Sequence, residues 1–288
     1  MSSNRVAPFN YLSGRQTFKD IRRHTHNLFL TQSHRVHTEK WQGLEISDKP
    51  DMVSHELMNY SFTHVLPWQE GLPYWQDDIK PNLPWADDHF EERVCGYPIN
   101  PGAEWKNWPW GVSADGFRNE IGQFNHNYME RYWSRHAPQA AANTPADYDM
   151  EPGYEAPNRG IRDEYGDLYD LVQSLAKNPL SRQEWFPIFH PEDVGEVVGG
   201  RKPCSLGYQF WVRDQGLHIY YPMRSCDFHR HMQDDIYLTL RLLLWVLDQC
   251  RQLDPPWERI RLGTFTMHCT SLHVFSNDMV QMKKEGMR

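Results

Sequence analysis

The chain has no run of about eighteen apolar residues, the length a membrane-spanning helix needs, and its opening MSSNRVAPFNYLSGRQ lacks the apolar core of a secretory leader. Cysteine is scarce and unpatterned. Five in 288 residues, an odd number without paired spacing, exclude a disulfide-stapled fold and fit a reducing compartment, so a cytoplasmic protein with no membrane partner is expected. Basic residues do not prevail: 30 Lys and Arg against 38 Asp and Glu give a formal charge of -8. That balance argues against a surface that coats nucleic acid, although a small anion needs only a few local arginines. Fifteen histidines occur, yet the close pairs His24 with His26, His34 with His37 and His229 with His231 lack cysteine or carboxylate partners at zinc spacings, and no metal is expected. No repeat and no linker-like break in composition divides the chain. One domain over 1–288, carrying an insertion, is the expectation.

What is present falls into an obscure first half and a readable second. Residues 64–112 are crowded with tryptophan and proline, so elements there must be short and the aromatics must fold over something. A stretch from about 137 to 160, rich in Pro, Gly and Ala, reads as an exposed excursion. Leu168, Leu171, Val172 and Leu175 recur at helical spacing, and Lys177-Asn178-Pro179 closes that helix. Residues 207–213 and 217–223 read as two strands joined across Asp214-Gln215-Gly216. Residues 236–249, apolar on nearly every face, read as a helix buried inside the protein.

Several side chains in the second half carry chemistry. Cys204 lies on a turn before a strand with Arg201 and Lys202 close by, and nearby positive charge favours the thiolate; on its own, a buried bystander is the commoner reading of a free cysteine. Arg224 and Ser225 end the second strand, where a guanidinium and a hydroxyl can clamp a phosphate. Asp234-Asp235 stands at the head of the apolar helix, a favoured place for a cap.

Taken together, Pro203-Cys204-Ser205 with Gln209-Phe210, Arg224-Ser225 with Asp227, Asp235, and His273 resemble the thymidylate synthase superfamily. Asp235 in particular resembles the CMP or dCMP hydroxymethylase branch, which places an aspartate where thymidylate synthases read uracil with asparagine. The resemblance is strongest over about 181–277, with shorter matches near 53–62 and 125–135. It implies an α/β (α+β) fold, a large mixed sheet with a long buried central helix, dimerising through the sheet. By the same resemblance Cys204 is the nucleophile that adds to C6 of a pyrimidine nucleoside monophosphate, and 5,10-methylenetetrahydrofolate is the cofactor. Arg224, Ser225 and Gln209 contact the nucleotide, Arg182 reaches the phosphate across a homodimer with shared active sites, and His273 binds the sugar. Asp227 and Trp133 belong to the folate side, and Asn127 and Tyr128 line the cleft. Glu56, in His55-Glu56-Leu57, matches a family helix whose glutamate organises water at the base.

The chain departs from the pattern at Gln183, where a second arginine is usual, at His231, where a glycine is usual, and at Phe275, where a tyrosine is usual. Only a short tail follows His273, which implies a wetter site suited to hydroxymethylation. The implied reaction is 5-hydroxymethylation of CMP or dCMP. A dCMP C5-methyltransferase, a divergent thymidylate synthase acting on dUMP, and a catalytically silent homologue that binds nucleotide or RNA stay open. For Asp235, the division expected is that Asp234 caps the helix while Asp235 reads the base.

Overall fold

The computed structural model describes residues 17–41, 44–67, 71–100, 102–109, 118–120, 122–124, 126–134, 165–195 and 201–285. The excursion expected at 137–160 lies outside them.

Helix α1 (Phe18–Gln32) begins at Thr17, whose hydroxyl accepts from Asp20 N while the Asp20 carboxylate accepts from Thr17 N. A short strand β1 (His34–Val36) and the hairpin β2 (Lys40–Trp41) and β3 (Leu44–Glu45) lead to the long strand β4 (Ser54–Val65). The tryptophan- and proline-rich region gives only short elements, α2 (Leu72–Ile79), α3 (Trp85–Arg93) and a 3-10 turn at Ala103–Asn107, followed by the short helix α4 (Tyr128–Tyr132). Helix α5 (Leu168–Lys177), strands β5 (Trp185–Pro187), β6 (Gly207–Arg213) and β7 (Gly216–Asp227), helix α6 (Met232–Leu253), strand β8 (Arg261–Phe275) and helix α7 (Ser276–Glu285) complete the order.

Six strands form one mixed sheet in the order β1-β4-β8-β7-β6-β5. Only β7 and β8 run parallel, and α6 crosses between them. A parallel pair needs such a crossover, and a helix laid on the sheet supplies it. Leu240, Leu242, Leu243 and Val246 of α6 are all 0% exposed, on more than one side of the helix, because α2, α3, α5 and the sheet surround it. Burying each such side chain contributes roughly 1.5–3 kcal/mol, which makes α6 the anchor of the core.

The β6–β7 turn matches the expectation and adds a detail. Asp214 and Gln215 take φ of 51° and 61°, the left-handed pair of a two-residue hairpin loop that asparagine and glycine usually fill. Strand β7 then runs four residues beyond the expected 223, to Asp227, carrying Arg224 and Ser225 to the sheet's edge.

Glu56 departs from expectation: it lies in strand β4, paired with His34 of β1 and His273 of β8, and not in a helix. Leu57 and Tyr60 are both buried three residues apart because Asn59 takes φ 53° and drops out of the pairing with β8. That local twist puts two apolar residues at a helix-like spacing on one side of a strand. Asp234 is corrected too. His231 is the N-cap of α6, and the Asp234 carboxylate instead accepts from Asn82 N at 2.8 Å and Asn82 Nδ2 at 2.7 Å, tying α6 to the segment before α3.

Helix α5 is fixed by a reciprocal cap. Asp167 Oδ1 accepts from Tyr169 N at 2.9 Å and Asp170 N at 3.2 Å, while Asp170 Oδ2 accepts from Asp167 N at 2.8 Å. Asp167→Ala should lower the unfolding free energy by about 1 kcal/mol, read from the urea midpoint. An unmoved midpoint would mean that packing of Leu168, Leu171 and Leu175 alone holds α5.

Candidate active site

Cys204 sits where two cavities meet, at the carboxyl ends of the parallel strands. Ser205 bridges to Met223, and Cys204 O accepts from Arg224 N at 2.9 Å, so the turn before β6 lies against the end of β7. The Arg224 guanidinium fastens it further: Nε donates to Pro203 O at 2.9 Å and Nη2 to Lys202 O at 3.0 Å. Its Nη1 donates to Ser225 Oγ at 3.3 Å, and Ser225 Oγ donates to Cys204 Sγ at 3.6 Å. The Arg224 guanidinium, the Ser225 hydroxyl and the Cys204 sulfur thus lie in series, each donor polarising the next.

The first cavity, of about 200 Å³, is roofed by Trp85, Trp105 and Trp108 and floored by Cys204, Ser225, Asp227 and Asp235. Asn127 and Tyr128 form one side. Asn127 caps α4 by accepting from Met129 N at 2.7 Å, which turns Tyr128 inward, and the Arg93 guanidinium lies 3.9 Å from the Tyr128 ring centre. The second cavity, of about 450 Å³, has a cationic rim of Lys40, Lys202 and Arg224, with Glu56 and His273 on its strand side. Arg201, Cys204, Ser225, Asp227 and His231 border both.

Burial sets the protonation of the first cavity. Asp235 accepts from Tyr221 Oη at 3.4 Å and Cys226 Sγ at 3.5 Å, and burial pushes its carboxyl up to about 7 against the pull of Arg93. Asp227 accepts from His229 N and Arg230 N, both at 3.0 Å, yet burial still raises it to about 6. Burial likewise drives His231 down to about 3, so its imidazole is neutral.

A group that the sequence reading missed dominates the far wall. His89 Nδ1 and Glu104 Oε1 are 2.6 Å apart, and His89 stacks on Trp85 with ring centres 5.0 Å apart. Glu104 is held by Glu92, whose Oε1 accepts from Glu104 N at 3.0 Å, and a Cβ at position 102 would fall 1.6 Å from Glu92 Oε2, so a side chain there would displace that carboxylate. Burial raises Glu104 to about 8 and Glu92 to about 7. Neither residue sits in a periodic pattern or a motif. The one hint in the sequence is the density of aromatics between 64 and 112.

The structure thus gathers Cys204, Ser225, Asp227, Asp235, Asn127 and Tyr128 around the first cavity, and Arg224, Glu56 and His273 around the second. Three expected site residues lie elsewhere. Gln209 points from the opposite face of β6, where neighbouring Tyr208 and Phe210 turn to the core, and its Nε2 donates to Arg182 O at 3.1 Å. Trp133 is 5% exposed and donates through Nε1 to Arg93 O at 2.9 Å, bracing α3 from within the core. Arg182 is exposed and borders neither cavity.

These protonation states couple to stability. A carboxyl whose folded pKa exceeds its unfolded value of about 4 stabilises most at low pH and loses that contribution as pH rises through the folded value. For Glu92 and Asp235 at about 7 and Glu104 at about 8, the loss begins just above the unfolded value and is complete only near pH 8.5, so its last part lies between about pH 6.5 and 8.5. The buried histidines His89, His126 and His231, all shifted down, act in the opposite sense but only below about pH 6.5. Unfolding free energy should therefore fall from pH 6.5 to 8.5, and less steeply in Glu104→Gln; urea titrations at three pH values read this, and a flat wild-type profile would contradict it.

A thymidylate synthase family profile matches residues 99–288, about two thirds of the chain. The chain is 28% identical over 123 residues to a thymidylate synthase of Rhodopseudomonas palustris, covering 42% of this chain and 38% of that one. It is 27% identical over 180 residues to a putative thymidylate synthase of Methanococcoides burtonii, covering 60% and 74%. Against a thymidylate synthase of Buchnera aphidicola it is 24% identical over 119 residues, covering 41% of each. The match thus spans well under half of two of these relatives. The family transfers a one-carbon unit from methylenetetrahydrofolate. Strand β4 and helix α3 precede the matched region, yet both supply walls around Cys204. A mixed sheet with one parallel pair, a cysteine at its carboxyl end and the matched 99–288 make this chain a member of the thymidylate synthase family.

Proposed function

We propose that the protein is a one-carbon transferase that hydroxymethylates C5 of a cytosine nucleoside 5'-monophosphate, CMP or dCMP, through a covalent adduct of Cys204 with C6. The observation that carries this reading is Asp235, a carboxyl and not an amide, which lines the same cavity as Cys204 and whose carboxyl burial pushes up to about 7. Cytosine offers an N4 amino donor and a basic N3. A carboxyl that shares one proton with N3 makes two hydrogen bonds in either state: as the acid it donates to N3, and as the carboxylate it accepts from both N4-H and protonated N3. Uracil has no basic atom at O4 to take that proton, so only the acid form of Asp235 suits it.

The folate fits the first cavity. Its flat ring suits three tryptophans, and its amide and amino donors meet acceptors in the Asp227 carboxyl and in Glu104 Oε2, which is buried without a partner. When bound it supplies a carbon at the formaldehyde level. The protein's part is then to add Cys204 Sγ to C6, to hold the ring with Asp235, and to hold the nucleotide phosphate with Arg224, Lys40 and Lys202. In this reading His273, which lines the same cavity as Cys204, takes the sugar, and Glu56 in that cavity holds the water. Thymidylate formation from dUMP is the second reading, favoured by the names of the relatives. Incubation with CMP, dCMP or dUMP and methylenetetrahydrofolate, followed by mass analysis of the nucleotide, separates them: a gain of a hydroxymethyl group on a cytosine nucleotide is expected, and a methyl on dUMP alone would overturn the proposal. Asp235→Asn should shift preference from cytosine to uracil about ten- to hundredfold; an unchanged ratio would remove Asp235 from base reading.

A homodimer is part of the proposal. One sheet face carries half-exposed Gln209, Trp211, Tyr220, Thr266, His268, Ser61 and Thr63, and Trp185 beside it is 39% exposed. Two such faces packed together would bury this row, and Arg182, exposed at its margin, would reach the partner's phosphate. Co-expressed Arg182→Ala and Cys204→Ser chains, each inactive alone, should then regain about a quarter of wild-type activity per site, because random pairing makes half of the dimers heterodimers and each of those has one intact site of two. Verified heterodimers without activity would confine Arg182 to its own subunit.

A further inference from the structure

We propose that the His89–Glu104 pair is the acid–base group that delivers and removes the proton at C5 of the bound pyrimidine, with His89 at the ring and Glu104 positioning it. The inference rests on the reading that Cys204 adds to a pyrimidine in the first cavity. Addition of Sγ to C6 forms the S–C6 bond and moves the C5–C6 π pair to C5, which must take a proton. Reversal needs a base to remove a proton from C5, so that its C–H pair restores the double bond and the S–C6 pair returns to sulfur. Some group beside C5 must therefore exchange protons on either path.

Geometry selects His89. It lines the same cavity as Cys204 and Asp235 and is stacked flat on Trp85, at 12° between ring planes, with its edge toward Tyr128 at 6.4 Å between centres. Nδ1 is engaged by Glu104 at 2.6 Å, which leaves Nε2 as the nitrogen available to a ring in the cavity. A histidine oriented through one nitrogen by a buried carboxyl, with the other facing the reacting atom, is a standard way to hold one tautomer. Glu56, the other candidate, faces the second cavity from β4 beside His273. The pair's electrostatic neighbours are Asp88, Glu92 and Arg93 of α3, Tyr128 of α4, and Asp234 and Asp235 of α6. Arg93 is the only cation among them; it favours the ionised Glu104 and the neutral His89.

The test needs no folate. CMP, dCMP and dUMP carrying tritium at C5 are incubated with the full chain, and label released to water is counted while nucleotide affinity is measured by calorimetry. Wild type should release tritium from its substrate, and His89→Gln, which keeps the polarity and removes the base, should slow release about a hundredfold or more at unchanged affinity. Wild-type release should rise through about pH 8 as Glu104 ionises, and Glu104→Gln, which keeps an acceptor for Nδ1-H but cannot ionise, should erase that rise. His89→Ala should recover part of the lost rate on addition of imidazole, which a purely structural role would not allow. Equal release by wild type and both glutamine variants would overturn this inference alone. No release by wild type from any of the three nucleotides would overturn it together with the reading of Cys204 on which it rests.

Discussion

Everything in the site hangs on the parallel pairing of β7 with β8 over the buried helix α6. Parallel strands bring their carboxyl ends to one edge, and the helix that joins them must begin at that same edge. Asp227 therefore ends β7, Asp235 lies in the first turn of α6, and His273 lies near the end of β8, although 46 positions separate the first from the last. The register pairs Asp227 with His273 directly. Cys204 joins them because β6 is antiparallel to β7, so the turn that precedes β6 meets the end of β7. A helix with leucines and valine buried on several sides cannot slide against its strands without opening cavities in a close-packed core.

The second half of the chain was legible because its signals are local. Leu168, Leu171, Val172 and Leu175 announce α5, the apolar stretch around 236–249 announces α6, and Asp214-Gln215-Gly216 announces the hairpin. The helix expected around Glu56 came from the resemblance of His55-Glu56-Leu57 alone, and the chain there pairs instead as strand β4 between β1 and β8. Gln209 and Trp133 stand beside motif residues in sequence but turn to surroundings other than the two cavities. Alternation along a strand sends neighbours to opposite faces.

His89 and Glu104 were illegible for a different reason. They come from two short elements in a segment without periodicity, and what unites them is a carboxylate-to-backbone tie from Glu92 across Gly102. Only the folded chain shows that the crowd of tryptophans is a roof. Arg224 carries a similar lesson. Its type suggested a phosphate contact, and the coordinates show in addition that it clamps the loop of the nucleophile and polarises Ser225 toward sulfur.

The acidic lining of the first cavity also changes what the composition means. Counted residue by residue, the chain carries -8 at neutral pH. Yet Glu104 at about 8, and Glu92 and Asp235 at about 7, keep much of their protons there, which removes roughly two negative charges from that total. A ligand that draws Glu104 into an ionic contact without itself taking up the proton must expel that proton into the solvent. Its heat of binding then includes the heat of protonating the buffer, and would differ between phosphate and Tris at the same pH.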